Sequence, residues 1–145
     1  MIGLLSDDEI TDLLRRHRIG RLGCTVNDRP YVVPIRFAFD GTHIYGYSGP
    51  GRKISVMREQ PLICFEVDEV TDESTWRSLI GEGRYEELTD ERERAHAARL
   101  LSNGNGNPAK GIGTVVSRSL SNDPQIILFR LRIDEVSGRF ERRDA

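Results

Sequence analysis

The stretch Tyr31-Val32-Val33-Pro34-Ile35-Arg36-Phe37-Ala38-Phe39-Asp40-Gly41-Thr42-His43-Ile44-Tyr45-Gly46-Tyr47-Ser48 decides the fold. Val33, Ile35, Phe37 and Phe39 recur at a period of two, which gives a strand from Tyr31 to Phe39 one apolar face. Asp40-Gly41 is a tight-turn signal, and His43 to Ser48 returns as the partner strand. Pro34 and Arg36 fall on the opposite face. A proline cannot donate to a sheet ladder, so its strand lies at an edge or turns its backbone toward something other than a strand, such as the flat edge of a ligand.

Outward from this hairpin the same period recurs. Leu22, Cys24 and Val26 mark a strand from Arg21 to Val26, ended by the turn residues Asn27-Asp28-Arg29-Pro30. Two more runs follow, Leu62 to Asp68 and Thr75 to Leu88, the second interrupted by Gly81 and Gly83, where a bulge or bend is expected. Ile126 to Ile133 alternates again. Between the strands lie helical signals. Ser6 with Glu9 forms a capping box ahead of Ile10, Leu13 and Leu14, and Asp90 with Glu93 repeats it ahead of Ala95, Ala98 and Leu101. A short helix from Arg52 to Glu59 is stopped by Pro61. There is no βαβ rhythm, so the 145 residues predict one mainly β domain, 1–145: a six-stranded, mostly antiparallel β-barrel with peripheral helices.

Charge narrows the function. The 21 Lys and Arg nearly balance 23 Asp and Glu, so no global field draws in nucleic acid or an anionic membrane, and any anion site is local. No run approaches the ~20 apolar residues of a membrane helix. Met1 leads straight into Ser6-Asp7-Asp8-Glu9 without an export pattern, which predicts a cytoplasmic protein. Cys24 and Cys64 each sit in an apolar alternating run and are expected as reduced, buried thiols.

The local anion site suggests itself at Tyr47-Ser48-Gly49-Pro50-Gly51-Arg52-Lys53, between a strand and a helix. A phosphate needs approachable backbone N–H groups, a hydroxyl and cations. Gly49 and Gly51 remove side-chain bulk, Ser48 supplies the hydroxyl, Arg52 and Lys53 the charge, and the helix N-terminus its dipole. A solvated turn with two basic residues would show the same letters. Trp76, Arg77 and Ser78 open the long strand with an aromatic face, a fork of donors and a hydroxyl, a set suited to a ring with a polar rim; Trp76 alone would equally suit a core or dimer contact.

Other signals carry less. Gly104-Asn105-Gly106-Asn107-Pro108-Ala109 follows a helix instead of a strand, so it is no dinucleotide fingerprint. His17, His43 and His96 have no metal-ligand spacing, so no metal is expected, and Gly46 to Pro50 lacks the second glycine of a nucleophile elbow. Arg139, Arg142 and Arg143, mixed with Glu141 and Asp144, suggest a solvated tail.

Taken in order, Val33-Pro34-Ile35-Arg36-Phe37, Tyr47-Ser48 through Gly51-Arg52-Lys53, Trp76-Arg77-Ser78 and Gly83-Arg84 resemble the pyridoxamine 5'-phosphate oxidase-like flavoproteins, and within them the branch that includes nitroimidazole-resistance proteins. The resemblance is good over Arg21 to Leu88 and looser over Gln125 to Phe140. It implies an FMN-binding split barrel that forms a homodimer, with a flavin in each of two interface clefts. It implies that the phosphate rests on Arg52 and Lys53 near Ser48, that backbone from Pro34 to Arg36 meets the ring edge, and that Ser78 lies near the ring. The cofactor-binding set is then Val33, Pro34, Ile35, Arg36, Tyr47, Ser48, Gly51, Arg52, Lys53, Trp76 and Ser78. Val136 to Arg143 does not match the second phosphate-binding set of true pyridoxamine phosphate oxidases, so the vitamin is not the expected substrate.

The function this implies is an FMN-dependent oxidoreductase that passes electrons from a reduced donor to a small planar molecule. Because no side chain is plainly dedicated to acid-base chemistry, a non-catalytic flavin carrier or sensor stands beside it. The same barrel with deazaflavin or haem is a third possibility, His43 being the foremost of three weak axial candidates. Ser102 to Pro124 either folds over the flavin or is a simple loop.

Overall fold

In the computed structural model, which describes residues 1–103 and 120–144, alternation has become a closed sheet. The elements are β1 (Ile2–Leu4), α1 (Asp7–Arg16), β2 (Ile19–Val26), β3 (Arg29–Phe39), β4 (His43–Ser48), α2 (Arg52–Glu59), β5 (Leu62–Asp72), β6 (Thr75–Leu88), α3 (Glu91–Asn103) and β7 (Ile127–Glu141). The sheet order is β1-β7-β4-β3-β2-β5-β6, and a further β6–β7 pairing closes it. Every pairing is antiparallel. The six strands read from the sequence are the six barrel strands β2 to β7. A seventh, β1, adds to the outside of β7, Ile2 opposite Glu141 and Leu4 opposite Arg139.

The inward alternation fills the barrel with Leu22, Ile35, Phe37, Phe65, Val67, Leu79, Phe129 and Leu131, all buried, with Phe37 and Phe65 edge-to-face at 5.0 Å. Helix α1 lays Ile10, Leu13 and Leu14 on this core. The expected capping box starts it: Ser6 Oγ accepts from Glu9 N at 3.2 Å, and Ser6 N donates to Glu9 Oε1 at 3.1 Å. Asp90 likewise accepts from Glu93 N ahead of α3. Residues Ala97, Ala98 and Leu101 of α3 cover outward-facing Ala38, Tyr45 and Leu128 to make a second core.

Three expectations need correction. First, the C-terminal segment to Glu141 is no solvated tail. The register of β6 on β7 shifts between Glu82 and Gly83, which pair with Glu135 and Ile133, so Asp134 is an extra bulged residue. The bulge breaks the alternation after Ile133, and beyond it Gly138 and Phe140 turn inward. Gly83 marks the close approach, since a Cβ there would lie 1.8 Å from Arg132 O. Second, Cys64 is exposed; only Cys24 is buried. Ile63, Phe65 and Val67 occupy the inward phase of β5, which sends Cys64 outward. Third, Ser102 is not the start of a loop. It belongs to the last turn of α3, where its Oγ donates to Ala98 O at 2.7 Å. The rest of the expected loop and the glycine-asparagine segment from Gly104 to Ala109 fall largely or wholly outside the described residues. No helix among the described residues is long and apolar enough to cross a membrane.

Candidate functional site

Strands β3 and β4 pair only through Phe37–Gly46, Ala38–Tyr45 and Phe39–Ile44. Past Gly46 they part. Strand β4 stays with β7, Tyr47 opposite Leu128 and Ser48 opposite Ile127, while β3 runs from Arg36 back to Arg29 with β2 alone beside it. Among the described residues the second edge of β3 over Arg29 to Arg36 has no strand pairing, and Pro34 sits within it, opposite Arg21. The sequence expected an edge or a ligand-facing backbone at Pro34, and the split between β3 and β4 provides an open edge.

Into this split the chain turns from Ser48 to α2. The Ser48 hydroxyl donates to Gly49 O at 2.7 Å. Gly51 is the N-cap of α2 and offers no side-chain cap, and the first helical bond runs from Ser55 N to Gly51 O at 3.1 Å. The amides of Arg52, Lys53 and Ile54 therefore head the helix, and its first turn carries no acidic residue to neutralise its dipole. A Cβ at Gly49 would meet nothing within 4 Å, and one at Gly51 only Gly49 O at 4.0 Å. The fold does not crowd either glycine. What they leave is bare backbone at the head of a helix flanked by two cations, a cradle that a phosphate fits. Buried Ile54 and Met57 hold α2 to the core, and Arg58 Nε and Nη2 grip Glu87 at 2.9 and 3.0 Å.

Arg52 stacks its guanidinium over the Tyr31 ring, 5.2 Å from the centroid. Lys53 is half-buried and has no ion pair among the described residues. The structure thus sets the head of α2 beside β3, joined to it through Arg52 on Tyr31. Val33 and Ile35 turn their side chains toward the core, which leaves their backbone for a ligand. The Arg36 side chain donates to Leu101 O at 2.9 Å and anchors the last turn of α3.

Trp76 and Ser78 lie elsewhere. They are on β6, three strands from β3, and three strand spacings are about 14 Å. Trp76 Nε1 donates to Glu141 Oε2 at 2.9 Å, and Ser78 faces outward between Asp68 and Arg139. Arg77, expected as a donor fork beside the ring, points to the opposite face. It donates to Asp12 at 2.8 Å and to Glu69 at 3.3 Å, in a network that His17 joins at 2.7 Å. His43 stands at the far end of β4 from Ser48, so a haem ligated there would occupy a different place from the glycine loop.

Pro34 and Ser78 share the outer face of β3, β2, β5 and β6. On it Ile19, Val32, Leu62 and Ile80 are 51, 63, 55 and 50 % exposed, one on each strand, with Arg21, Glu66, Cys64 and Glu82 set among them. A groove of about 560 Å³ crosses the face past Gly23, Val32, Leu62 and Cys64 and reaches Tyr31 beneath Arg52. Two features of this region escaped the sequence: the platform Tyr31, whose stacking needs α2 folded against β3, and the pair Glu66 and Asp68, two residues apart and so on the same face of β5. Burial, with the hydrogen bond and charge of Asp68, pushes the Glu66 carboxyl up to about 7 against the pull of Arg21. Alternating letters carry no sign of either.

The family model described as pyridoxamine 5'-phosphate oxidase matches residues 6–140. The chain belongs to the pyridoxamine 5'-phosphate oxidase family. An uncharacterized protein of Rhizobium meliloti is 32% identical to this family member over 142 residues, 95% of this chain and 94% of that one. Among solved structures, a FAD-binding protein from Mesorhizobium loti is 34% identical and superposes with a TM-score of 0.77 over 99% of this chain and 98% of its own. A Bacteroides thetaiotaomicron protein assigned to 5-nitroimidazole antibiotic resistance shares the family fold at 18% identity, TM-score 0.76, over 97% of this chain and 87% of its own. The resemblance expected from the residues is borne out, and so is the split barrel.

Proposed function

We propose that the chain is a flavoprotein that binds FMN, with the phosphate on the head of α2 and the ring edge along Pro34 to Arg36, and that it acts as a flavin-dependent oxidoreductase on a small planar molecule. One observation carries this: a helix N-terminus without a side-chain cap, with Gly49, Gly51, Arg52 and Lys53, opens beside a strand edge that no other strand of the described residues covers. The Mesorhizobium loti relative, named as FAD-binding, supports a flavin. A bound flavin supplies two-electron chemistry. The chain's part is to hold the phosphate by amides and cations, to align the ring against the β3 backbone, and to keep Arg36 on α3 so that the edge stays in place.

The site is proposed to be completed by a second copy of the chain. Trp76 and Ser78 are too far from the β3 edge to flank the same ring within one copy, and a homodimer through the outer face would supply a second set. A protein of this kind is expected to work in the cytoplasm on a small molecule.

FAD is the second reading, favoured by that same relative and by the groove that leads from Tyr31 across the outer face, which has room for a nucleotide extension. Fluorescence-quenching titrations with riboflavin, FMN and FAD separate them. FMN is expected to bind saturably and riboflavin far more weakly, because riboflavin lacks the phosphate; tighter FAD than FMN selects the second reading. No flavin in the purified protein and no saturable quenching would remove the proposal, and a Soret band would replace flavin by haem. Photoreduced protein offered nitroaromatic, quinone and flavin acceptors tests the chemistry: transfer is expected, and none would leave a carrier or sensor.

A further inference from the structure

We propose that a cavity at the α1 end of the barrel is a binding site for a small, uncharged, largely apolar molecule of one or two rings. Phe39, on its wall, closes the end of β3 that lies five residues past Pro34, so the site is separate from the proposed flavin site and does not depend on it.

The strand register makes the cavity. The inward positions of β6 run Leu79, Gly81, Gly83 and Tyr85, so two in succession lack a side chain. Partners in an antiparallel pair share a face, which puts Val136, opposite Gly81, and Gly138, opposite Leu79, in the inner phase of β7 beyond the Asp134 bulge. These glycines meet different neighbours. At Gly83 the Arg132 carbonyl takes the space of a side chain, and at Gly138 Leu5 does so, its Cδ1 2.7 Å from where a Cβ would stand. At Gly81 the nearest atoms to a Cβ would be those of the Ile133 side chain, from 3.1 Å outward. That row stays open, and Val136, inward by phase, is 45 % exposed.

Helix α1 and the β3–β4 turn cover the open row and leave a cavity of about 270 Å³. Its walls include Ile10, Leu14, Phe39, Ile44, Phe65 and Leu79, all buried. The exposed members of its lining, Asp7, Gly41, Thr42 and Val136, form the mouth. These walls offer a water no side-chain partner, and the one buried side-chain polar atom without a partner among the described residues, Glu66 Oε1, belongs to the outer face of β5. Apolar cavities of about 150 Å³ stay dry and take up benzene, so this larger space suits one ring or two fused rings. The same walls decide the charge. Asp7 is the one charged residue of the lining, so an ion would leave water for a space with no counter-charge inside, and an anion would also meet the Asp7 carboxylate at the mouth. The Thr42 hydroxyl at the mouth can accept one N–H or O–H of the guest.

Indole, added to the full chain with methyl-labelled Ile, Leu and Val and followed by methyl NMR, tests the site. Saturable shifts are expected at Ile10, Leu14, Ile133 and Val136, with a Kd of roughly 1 mM or tighter, and none with indole-3-carboxylate at the same concentrations. Val136→Phe blocks the mouth from an exposed position, and Gly81→Val puts two methyls into the open row. Each should weaken indole binding by roughly tenfold or more with wild-type circular dichroism. No saturable shift, a Kd unchanged in Val136→Phe, or shifts centred on Val32 and Leu62 of the outer groove would overturn the site. Indole-3-carboxylate bound as tightly as indole would overturn the uncharged class.

Discussion

The guanidinium of Arg52 at the head of α2 stacks on the ring of Tyr31 in β3, 5.2 Å from its centroid, and joins the glycine loop to a strand edge that has no strand partner among the described residues. The glycine loop and β3 are thereby fixed to each other, although 20 residues lie between Tyr31 and Arg52 in the chain.

From this contact, substitution of both cations, Arg52→Ala with Lys53→Ala, should weaken flavin binding by about 1.5 to 3 kcal/mol for each charged hydrogen bond removed. Neither side chain fills the core, so the melting temperature of the flavin-free protein should stay close to wild type. Quenching titrations read the first and thermal melts the second; unchanged flavin affinity would refute the phosphate assignment.

The two kinds of glycine should part company. Gly83→Ala places a Cβ 1.8 Å from the Arg132 carbonyl and must break the bulge, so loss of folded protein or destabilisation of roughly 3 kcal/mol or more is expected. Gly49→Ala meets nothing within 4 Å, so stability should be retained while flavin affinity falls, because the added methyl fills the cradle. A Gly49→Ala protein with wild-type flavin affinity would move the phosphate elsewhere.

Removal of the hydroxyl that starts α1, by Ser6→Ala, should cost about 1 kcal/mol in chemical denaturation. Both halves of the capping box are present, and α1 closes one end of the core through Leu13 and Leu14, so the loss should be felt by the whole barrel.

Glu66 should also leave a mark on stability. Its carboxyl is raised in the folded chain to about 7 from an ordinary 4.5, so the wild type is penalised progressively as pH rises through that window. Glu66→Gln lacks the penalty. Urea denaturation should find the variant roughly 1 to 2 kcal/mol the more stable at pH 8 and little different at pH 5. The reverse order would show that Glu66 is stabilised in its charged form.

Much of the barrel was legible because burial acts residue by residue. Phe37, Phe65 and Leu79 face inward for the reason that made them alternate, and Ser6 with Glu9 capped α1 as their spacing required. Strand β1 was not legible: three residues, two of them exposed, carry no period, and they form a strand only because Arg139 to Glu141 present an edge to them. The C-terminal half of β7 was hidden by the bulge at Asp134, which shifts the alternation out of phase. Arg77 was misplaced because its letters suit a ring and its phase, set by Leu79 two residues on, points it to Asp12 and Glu69.

The sequence by itself determined what local chemistry can determine: the inward faces of six strands, the helix starts, and a glycine loop of the right composition to hold an anion, since each depends on neighbours within a few residues. Only the tertiary structure decided that the loop opens beside a β3 edge without a strand partner among the described residues, that Arg52 rests on Tyr31, that Trp76 and Ser78 stand three strands away, and that Arg21 of β2 meets Asp68 beside Glu66 on β5. Those relations depend on register and closure, which bring distant segments to one surface, and no period along the chain encodes them.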